Sequence, residues 1–457
     1  MSRLLVTIAA IALSFAALTA VTSTAQAQAI IDSSTVENGY PSQLTFKLTA
    51  HSDSNITDVT LNYAITGRGT SAIGKPNDLN PDRNVSVAIP VQVNSQSSYI
   101  PVGSEFVYHW EITSADGSKF VGPDATFFYL PPNQDWKTVK GDFMTVYYHG
   151  DKQPLANAYL KAGVETYDKM ATKLLKTTLE QVPVKVILFD DEKESSQARP
   201  PKSAKFDATT TTCGTKVTND IVLVIPVSCG TADRTDTLRH EFTHIINETA
   251  GEGPFGKLPS WLDEGTAVYG QVTPGDNFTG AFDSAARGNR LIPFVSMATA
   301  PSDAALVNLF YGQAYTMAKY LVDKDGPATY AQFFANIKKG GRFEDALKQT
   351  YGFDLAGFED EFRKANKVAP RVEPTAAPTQ KAQPKAQATT VPTSPPANSN
   401  SGNSDSGGGI SKATMVIIGV AVLFVLLAAL SLLISMFMAN NRTGGGTPGA
   451  PPPPSNE

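Results

Sequence analysis

Residues 30–132 show apolar and polar residues in alternation. The alternation is clearest at 43–48, 59–63, 85–89 and 106–112, and turn-forming residues separate these runs. Successive side chains of a β-strand point to opposite faces, so this pattern is typical of strands with one buried face. Several short strands at this spacing predict an all-β sandwich of immunoglobulin-like type over the whole region.

The pattern changes in residues 133–368. Unbroken apolar runs at 143–148, 184–189 and 221–227 predict buried strands. Proline cannot donate to a sheet ladder, so Pro226 indicates that the third of these strands lies at a sheet edge. A sheet followed by helices predicts an α+β domain. Apolar residues at helical spacing predict helices at 155–174, 311–323, 328–338, 343–350 and 355–366.

The two ends of the chain differ from its middle. Residues 1–29 combine Arg3, an apolar stretch and small residues at a cleavage position, which predicts a signal peptide. Residues 369–410 are rich in Pro, Ala, Ser and Gly and predict a disordered stalk. Residues 411–440 predict one transmembrane helix, because its uncharged stretch would be about 39 Å long and the hydrocarbon core is ~30 Å thick. A short tail, 441–457, follows. We therefore expect a single-pass cell-membrane protein with an extracytoplasmic ectodomain.

Composition and charge narrow the possible partners. The chain has 457 residues, of which 41% are hydrophobic, which is enough for two or three domains with sizeable cores. The net charge is -5, and the sequence has neither a basic patch nor a Gly-rich phosphate loop. Nucleic acid is therefore not expected as a partner. We expect a monomer.

The chain has two cysteines, Cys213 and Cys229. In an exported protein they can form a disulfide, and only one pairing exists. Closing a loop of this size should contribute about 3 kcal/mol to stability. We predict the disulfide, with two free thiols as the alternative.

The segment with the clearest chemistry is an H-E-x-x-H motif that begins at His240 and ends at His244. Residues four apart lie on one helix face, so both imidazoles can bind one metal ion. Glu241 lies beside them, where it can take a proton from a water held by the metal. A helix is predicted here, with Thr231 or Asp233 as the cap.

Catalytic zinc sites usually have three protein ligands and one open position. Glu264 is the candidate for the third ligand, because a turn rich in Gly and Pro and a second helix can bring it back to the histidines. Glu248 and Glu252 are the nearest alternatives. Ser260 opens a predicted capping box in which Asp263 serves the helix start.

The sequence HEFTH, followed by PSWLDEGTAVYG, resembles the gluzincin zinc metallopeptidases, specifically the peptidase MA-like group related to thermolysin and the zinc aminopeptidases. This resemblance covers about residues 136–367. It implies a thermolysin-like α+β peptidase domain with one Zn²⁺ per chain, bound by His240, His244 and Glu264, and with Glu241 as the general base.

The resemblance also implies a downstream oxyanion donor. No histidine follows the motif, so a tyrosine is expected, with Tyr311 first and Tyr315 second. Both can equally be core aromatics of a helix. The G-x-M-E-N segment by which aminopeptidases bind a substrate amino terminus is missing from the sequence. An endopeptidase is therefore expected.

The sequence thus predicts a membrane-anchored extracytoplasmic zinc metallopeptidase that cleaves peptide or protein substrates. The predicted edge strand, 221–227, could align an extended substrate by main-chain hydrogen bonds. The alternative function is a catalytically inert cell-surface binding or adhesion protein that works through its β-sandwich. An inert site, however, has no physical need for the complete set of ligands and base.

Overall fold

The computed structural model describes residues 28–95, 98–200, 213–226 and 232–371. The predicted transmembrane helix and tail lie outside these residues, as do nearly all of the predicted signal peptide and stalk. Among the helices within the described ranges, none is both long and apolar enough to cross a membrane. Cys213 is disulfide-bonded, as the predicted pairing requires, and Cys229 lies outside the described residues.

The N-terminal β region forms one hydrogen-bonded sheet organised around a long second strand. That strand pairs with β1 and β4 along its first half and with β3 and β5 along its second half. The seven strands are β1 (Ile30–Gly39), β2 (Gln43–Ile65), β3 (Ser71–Gly74), β4 (Asp82–Gln92), β5 (Glu105–Ser114), β6 (Lys119–Val121) and β7 (Ala125–Phe128).

Strand β2 bends back on itself. The rings of Phe46 and Tyr63 lie 6.1 Å apart, although seventeen residues of straight strand would span about 56 Å. The bend falls where the pairing register shifts, between His51 and Ile56. The predicted sandwich is therefore confirmed in outline. Strand β2 contributes one half to each of the two layers.

The second sheet has five strands: β8 (Lys137–Lys140), β9 (Met144–Tyr148), β10 (Val184–Leu188), β11 (Gly214–Thr218) and β12 (Ile221–Val224). Their order is β11-β12-β10-β9-β8, with the three central strands parallel. The prediction that 221–227 forms the edge strand was wrong, because β12 lies between β10 and β11. Pro226 follows the end of β12 and therefore does not interrupt its ladder.

Helices cover one face of this sheet. The predicted helix at 155–174 divides into an α-helix and a π-helix, and the predicted helices at 311–323 and 328–338 are one element interrupted at Gly326. The elements are α1 (Gln153–Thr166), a π-helix (Tyr167–Leu175), α2 (Glu192–Ala198), α3 (Asp236–Gly251), α4 (Ser260–Gly270), α5 (Asp276–Arg287), 3-10 turns (Phe294–Ala298 and Ala304–Leu306), α6 (Val307–Lys338), α7 (Phe343–Tyr351) and α8 (Leu355–Ala365).

The opposite face of the five-stranded sheet is covered by the β region. Val222 and Val224 belong to the core shared with the helices. Ile221 and Leu223 belong to the core shared with the β region. Close packing at this junction needs Gly103, where an added Cβ would lie 3.2 Å from the Ile187 side chain. The β region and the sheet therefore share one continuous hydrophobic core.

Candidate active site

Helix α3 carries the H-E-x-x-H motif. Its apolar stripe packs the helix against the sheet and so fixes the position of the motif. Leu238, Phe242, Ile245 and Ile246 are all buried. The helix begins at Asp236, and the side chain of Thr235 before it makes no capping hydrogen bond. Asp233 accepts the backbone N–H and hydroxyl of Thr235, so it caps the turn that leads into the helix, as one of the two predicted candidates. Thr231, the other candidate, lies outside the described residues.

Helix α4 packs against α6 and presents Glu264 to the histidines. An added Cβ on Gly265 would lie 2.2 Å from the carbonyl oxygen of Ala314, so only glycine allows this close approach of the two helices. The predicted capping box at Ser260 was wrong: Pro259 precedes the helix and no side-chain hydrogen bond caps it.

Three side chains converge at the centre of the site. His240 Nε2 lies 3.2 Å from both Glu264 Oε2 and His244 Nε2, and His244 Nε2 lies 3.5 Å from Glu264 Oε2. Four ligands placed tetrahedrally at about 2.0–2.1 Å from zinc would lie roughly 3.3–3.4 Å from one another. The three donors therefore fit a tetrahedral zinc site with one position left open.

The electrostatics of the site favour a cation. Burial alone would lower the pKa of the His244 imidazole, but the carboxylates of Asp263, Glu264 and Glu241 outweigh burial and raise it to about 10. Nδ1 of His240 is buried without a hydrogen-bond partner among the described residues. Three nearby carboxylates thus give the His244 imidazole a surrounding that stabilises positive charge.

Asp263 orients His244, a role that sequence reasoning missed. Its Oδ1 lies 2.9 Å from His244 Nδ1 and accepts a 2.8 Å hydrogen bond from the Asn247 side chain. The pKa of Asp263 is lowered, because His244 and Asn247 outweigh the opposing effect of burial. A carboxylate on Nδ1 leaves Nε2 free to bind a metal. The available signal was the spacing of His244 and Asn247, one turn apart on α3.

Glu241 lies beside the three donors and is held by the edge strand. Its Oε2 accepts a 2.8 Å hydrogen bond from the backbone N–H of Lys216 in β11. Strand and helix approach closely at Gly214, where an added Cβ would lie 2.5 Å from Thr237 and 2.8 Å from Glu241. The sequence alone could not reveal this contact, because the two segments are 25 residues apart.

The structure brings Tyr311 to the site and leaves Tyr315 outside it. The Tyr311 ring lies 6.0 Å from the His240 ring and stacks on Phe278, and its hydroxyl is close enough to Glu264 for that carboxylate to raise the Tyr311 pKa. Burial, followed by the charges of Glu264 and Glu241, raises the Tyr311 pKa well above its usual value. Tyr315 is half-buried, with its ring 6.5 Å from that of Tyr269.

The two alternative third ligands are engaged elsewhere. Glu248 bonds to the Lys216 ammonium, and Glu252 bonds to that of Lys257. The three-donor group that includes the motif histidines contains neither of them. Glu264 is the only one of the three candidates that meets both imidazoles.

Comparison with known proteins agrees with this geometry. Residues 169–368 match the model of the Peptidase MA superfamily, so this part of the chain is similar to that superfamily. No match was found among curated proteins. One similar solved structure is an M1 zinc metallopeptidase from Deinococcus radiodurans, with 11% identity, a TM-score of 0.33, and coverage of 75% of this chain and 93% of that one. Another is a mutant of an M1 zinc metallopeptidase from the same organism, bound to a Tyr-Ser-Ala substrate. Its sequence identity is 11% and its TM-score 0.33, and the match covers 77% of this chain and 95% of that one.

Proposed function

We propose that this protein is a zinc metallopeptidase that hydrolyses internal peptide bonds of peptide or protein substrates. The observation that carries the proposal is the triangle of His240, His244 and Glu264, with edges of 3.2, 3.2 and 3.5 Å, next to the carboxylate of Glu241. One Zn²⁺ per chain would be held by these three side chains. The match to the Peptidase MA superfamily supports the same conclusion.

The division of labour among the residues follows from their contacts. When bound, zinc supplies a Lewis acid that polarises a carbonyl and lowers the pKa of water. Glu241 takes a proton from the water that attacks the scissile carbonyl, then delivers it to the leaving amine nitrogen as the C–N bond breaks. The Lys216 N–H holds the carboxylate of Glu241 in place during both transfers.

Tyr311 is proposed as the donor to the developing oxyanion. Its ring stacks on Phe278 and lies 6.0 Å from the His240 ring, which places the side chain at the site. A tyrosine hydroxyl is protonated at neutral pH, so it is able to donate. A donor placed in advance where negative charge develops stabilises the transition state without reorganisation.

Strand β11, rather than the predicted strand 221–227, is proposed to align the substrate. It is the edge strand of the sheet, and the Lys216 N–H points away from β12 toward α3. An extended peptide can pair with such an edge through main-chain hydrogen bonds, which gives broad sequence preference. The strand reads GTKVT and carries no carboxylate to hold a substrate amino terminus, which supports endopeptidase action.

We further propose that the protein is a monomer tethered to the membrane by 411–440, with its catalytic part on the extracytoplasmic side. The support is the sequence pattern of 1–29 and of the C-terminal segment. The alternative of an inert binding protein is less favoured, because one face of the β region is already used against the five-stranded sheet.

Metal analysis and cleavage profiling of the full-length protein test the proposal. His240→Ala should lose about one equivalent of zinc relative to the parent, whereas His51→Ala, a change at an exposed histidine of the β region, should lose none. Mass-spectrometric profiling should find cleaved peptides with the parent and not with Glu241→Gln. Equal zinc contents in the parent and His240→Ala, or identical cleavage by the parent and Glu241→Gln, would contradict it.

A further inference from the structure

A second group of metal-binding side chains lies where two parallel strands end. His149 directly follows β9, Asp190 follows β10, and Glu194 lies in the first turn of α2. One ligand atom from each of the three lies within 4.8 Å of the others. None of these residues belongs to the site described above, and the motif analysis did not identify them.

A single ring nitrogen faces several carboxylate oxygens in this group. His149 Nε2 lies 3.0 and 3.3 Å from the two oxygens of Glu194 and 3.3 Å from Asp190 Oδ1. Asp190 Oδ1 accepts a bond from the Lys152 ammonium and Glu194 Oε2 accepts one from the Asp190 N–H, whereas the buried Oε1 of Glu194 has no hydrogen-bond partner in the described part of the chain. The His149 side chain is only 8% exposed, so water does not readily compensate.

The three side chains are held in place by their neighbours. The Asp190 N–H donates to Glu194 Oε2 at 2.7 Å, and Asp191 caps α2 by accepting the Glu194 N–H at 2.9 Å. The Trp136 ring packs on that of His149, with centroids 4.9 Å apart. The group is therefore a built cluster and not a chance meeting of exposed side chains.

We propose that His149, Asp190 and Glu194 form a second divalent-cation site, one that is structural and not catalytic. One imidazole with two carboxylates is a donor set that zinc accepts in proteins. A cation shared by the three would give Glu194 Oε1 the partner that it lacks. The Lys152 ammonium bonds to Asp190 Oδ1 and is a competing positive charge.

The position of the cluster indicates that a bound cation would stabilise the fold. Helix α2 is contacted from the β region by the Tyr99 hydroxyl, which donates to the Ala198 carbonyl at 2.7 Å. A cation held by Glu194 would fix α2 to the ends of β9 and β10, at the junction of the two halves of the molecule. Its loss should therefore lower stability while turnover on peptides stays unchanged.

The test uses full-length protein in which His240→Ala and His244→Ala remove the catalytic ligands. After chelation, return of Zn²⁺ and gel filtration, elemental analysis should find about one equivalent in this background. His149→Gln or Glu194→Gln added to the background should abolish it, and Asp151→Asn, a change in an exposed neighbouring acid, should not. Lys152→Gln should lower the zinc dissociation constant roughly tenfold, because it removes the competing charge.

The thermal midpoint of unfolding shows whether a variant has lost zinc only because it no longer folds. Zinc should raise the thermal midpoint of the background protein and leave that of the His149→Gln form unchanged. A background that retains no zinc, or zinc that persists in both the His149→Gln and Glu194→Gln forms, would overturn the proposal. None of these measurements depends on peptidase activity. Occupancy of the catalytic site is tested separately, by the zinc that the parent loses on His240→Ala.

Discussion

The two faces of the five-stranded sheet carry different tasks. One face packs on the helices, and through Val222 and Val224 it supports the helix that bears the motif. The other face packs on the β region through Ile221 and Leu223. Alternate residues of strand β12 thus support the motif helix on one side of the sheet and pack against the β region on the other.

This difference explains a contrast already visible along the chain. Strands β10 and β12 are apolar almost without interruption, because both of their faces are covered. Strand β4 alternates strictly, since only one of its faces is buried. An unbroken run in the peptidase-like part therefore indicated that a second layer must cover the sheet, and the β region is that layer.

The largest effect is expected from removal of the β region. A chain that lacks 30–132 should fail to fold, because Ile187, Ile221 and Leu223 would lose their cover. Solubility and circular dichroism of 133–371 measure this, with 28–371 as the matched control. A soluble, folded and active fragment would show that the two faces are independent.

On the helix face, Glu241→Gln should lower turnover by ~10²–10⁴, the usual contribution of a general base, while zinc content is retained. Glutamine keeps the shape and the contact to Lys216 but cannot take a proton at neutral pH. Glu264→Gln should instead lower zinc occupancy, and excess zinc should restore part of the activity. The assignment is wrong if Glu241→Gln loses zinc or Glu264→Ala keeps both metal and activity.

Tyr311→Phe should lower kcat by ~10²–10³ with little change in zinc content, because it removes one oxyanion donor. Tyr315→Phe is the matched control on the same helix and should keep near-parent kcat. Steady-state kinetics with one peptide substrate compares the two. A Tyr311→Phe variant that keeps the parent kcat would assign this ring to packing alone.

On the opposite face, Leu223→Ala should lower the free energy of unfolding by about 2–5 kcal/mol, because the side chain is buried against the β region. The kcat of the folded variant should equal that of the parent. Denaturant unfolding and kinetics at low temperature measure both quantities. A large fall in kcat without loss of stability would mean that the two faces are coupled.

The smallest effect is expected from Asp263→Asn. The change keeps a hydrogen-bonding oxygen near His244 Nδ1 but removes its charge, so zinc affinity should fall by about 10–100-fold. Competition with a chromophoric chelator measures the affinity. Asp276→Asn, a change at the start of α5 away from the three donors, provides the control.

The sequence was most informative for the site residues that lie close together along the chain. The motif spacing fixed His240 and His244 on one helix face, and the structure brings Glu264 to them. Sequence alone left Tyr311 and Tyr315 undecided, because the choice depends on how α6 packs beside α4.

The errors have a common physical cause. Pro226 indicates an edge strand if it lies within the strand, yet β12 ends before it and β11 forms the edge. The local pattern predicts that Asp263 caps a helix, yet Asp263 contacts His244, nineteen residues away along the chain. In each case a tertiary contact decided what local pattern could not.

The close approach at Gly214 has a consequence for how this protein can change. No side chain fits between β11 and α3 at this point, so residue 214 cannot be varied to reshape the site. Diversification of the site, in nature or by engineering, must begin at neighbouring positions such as Lys216, whose side chain bonds to Glu248. The backbone that fixes the general base therefore also limits where new substrate preferences can arise.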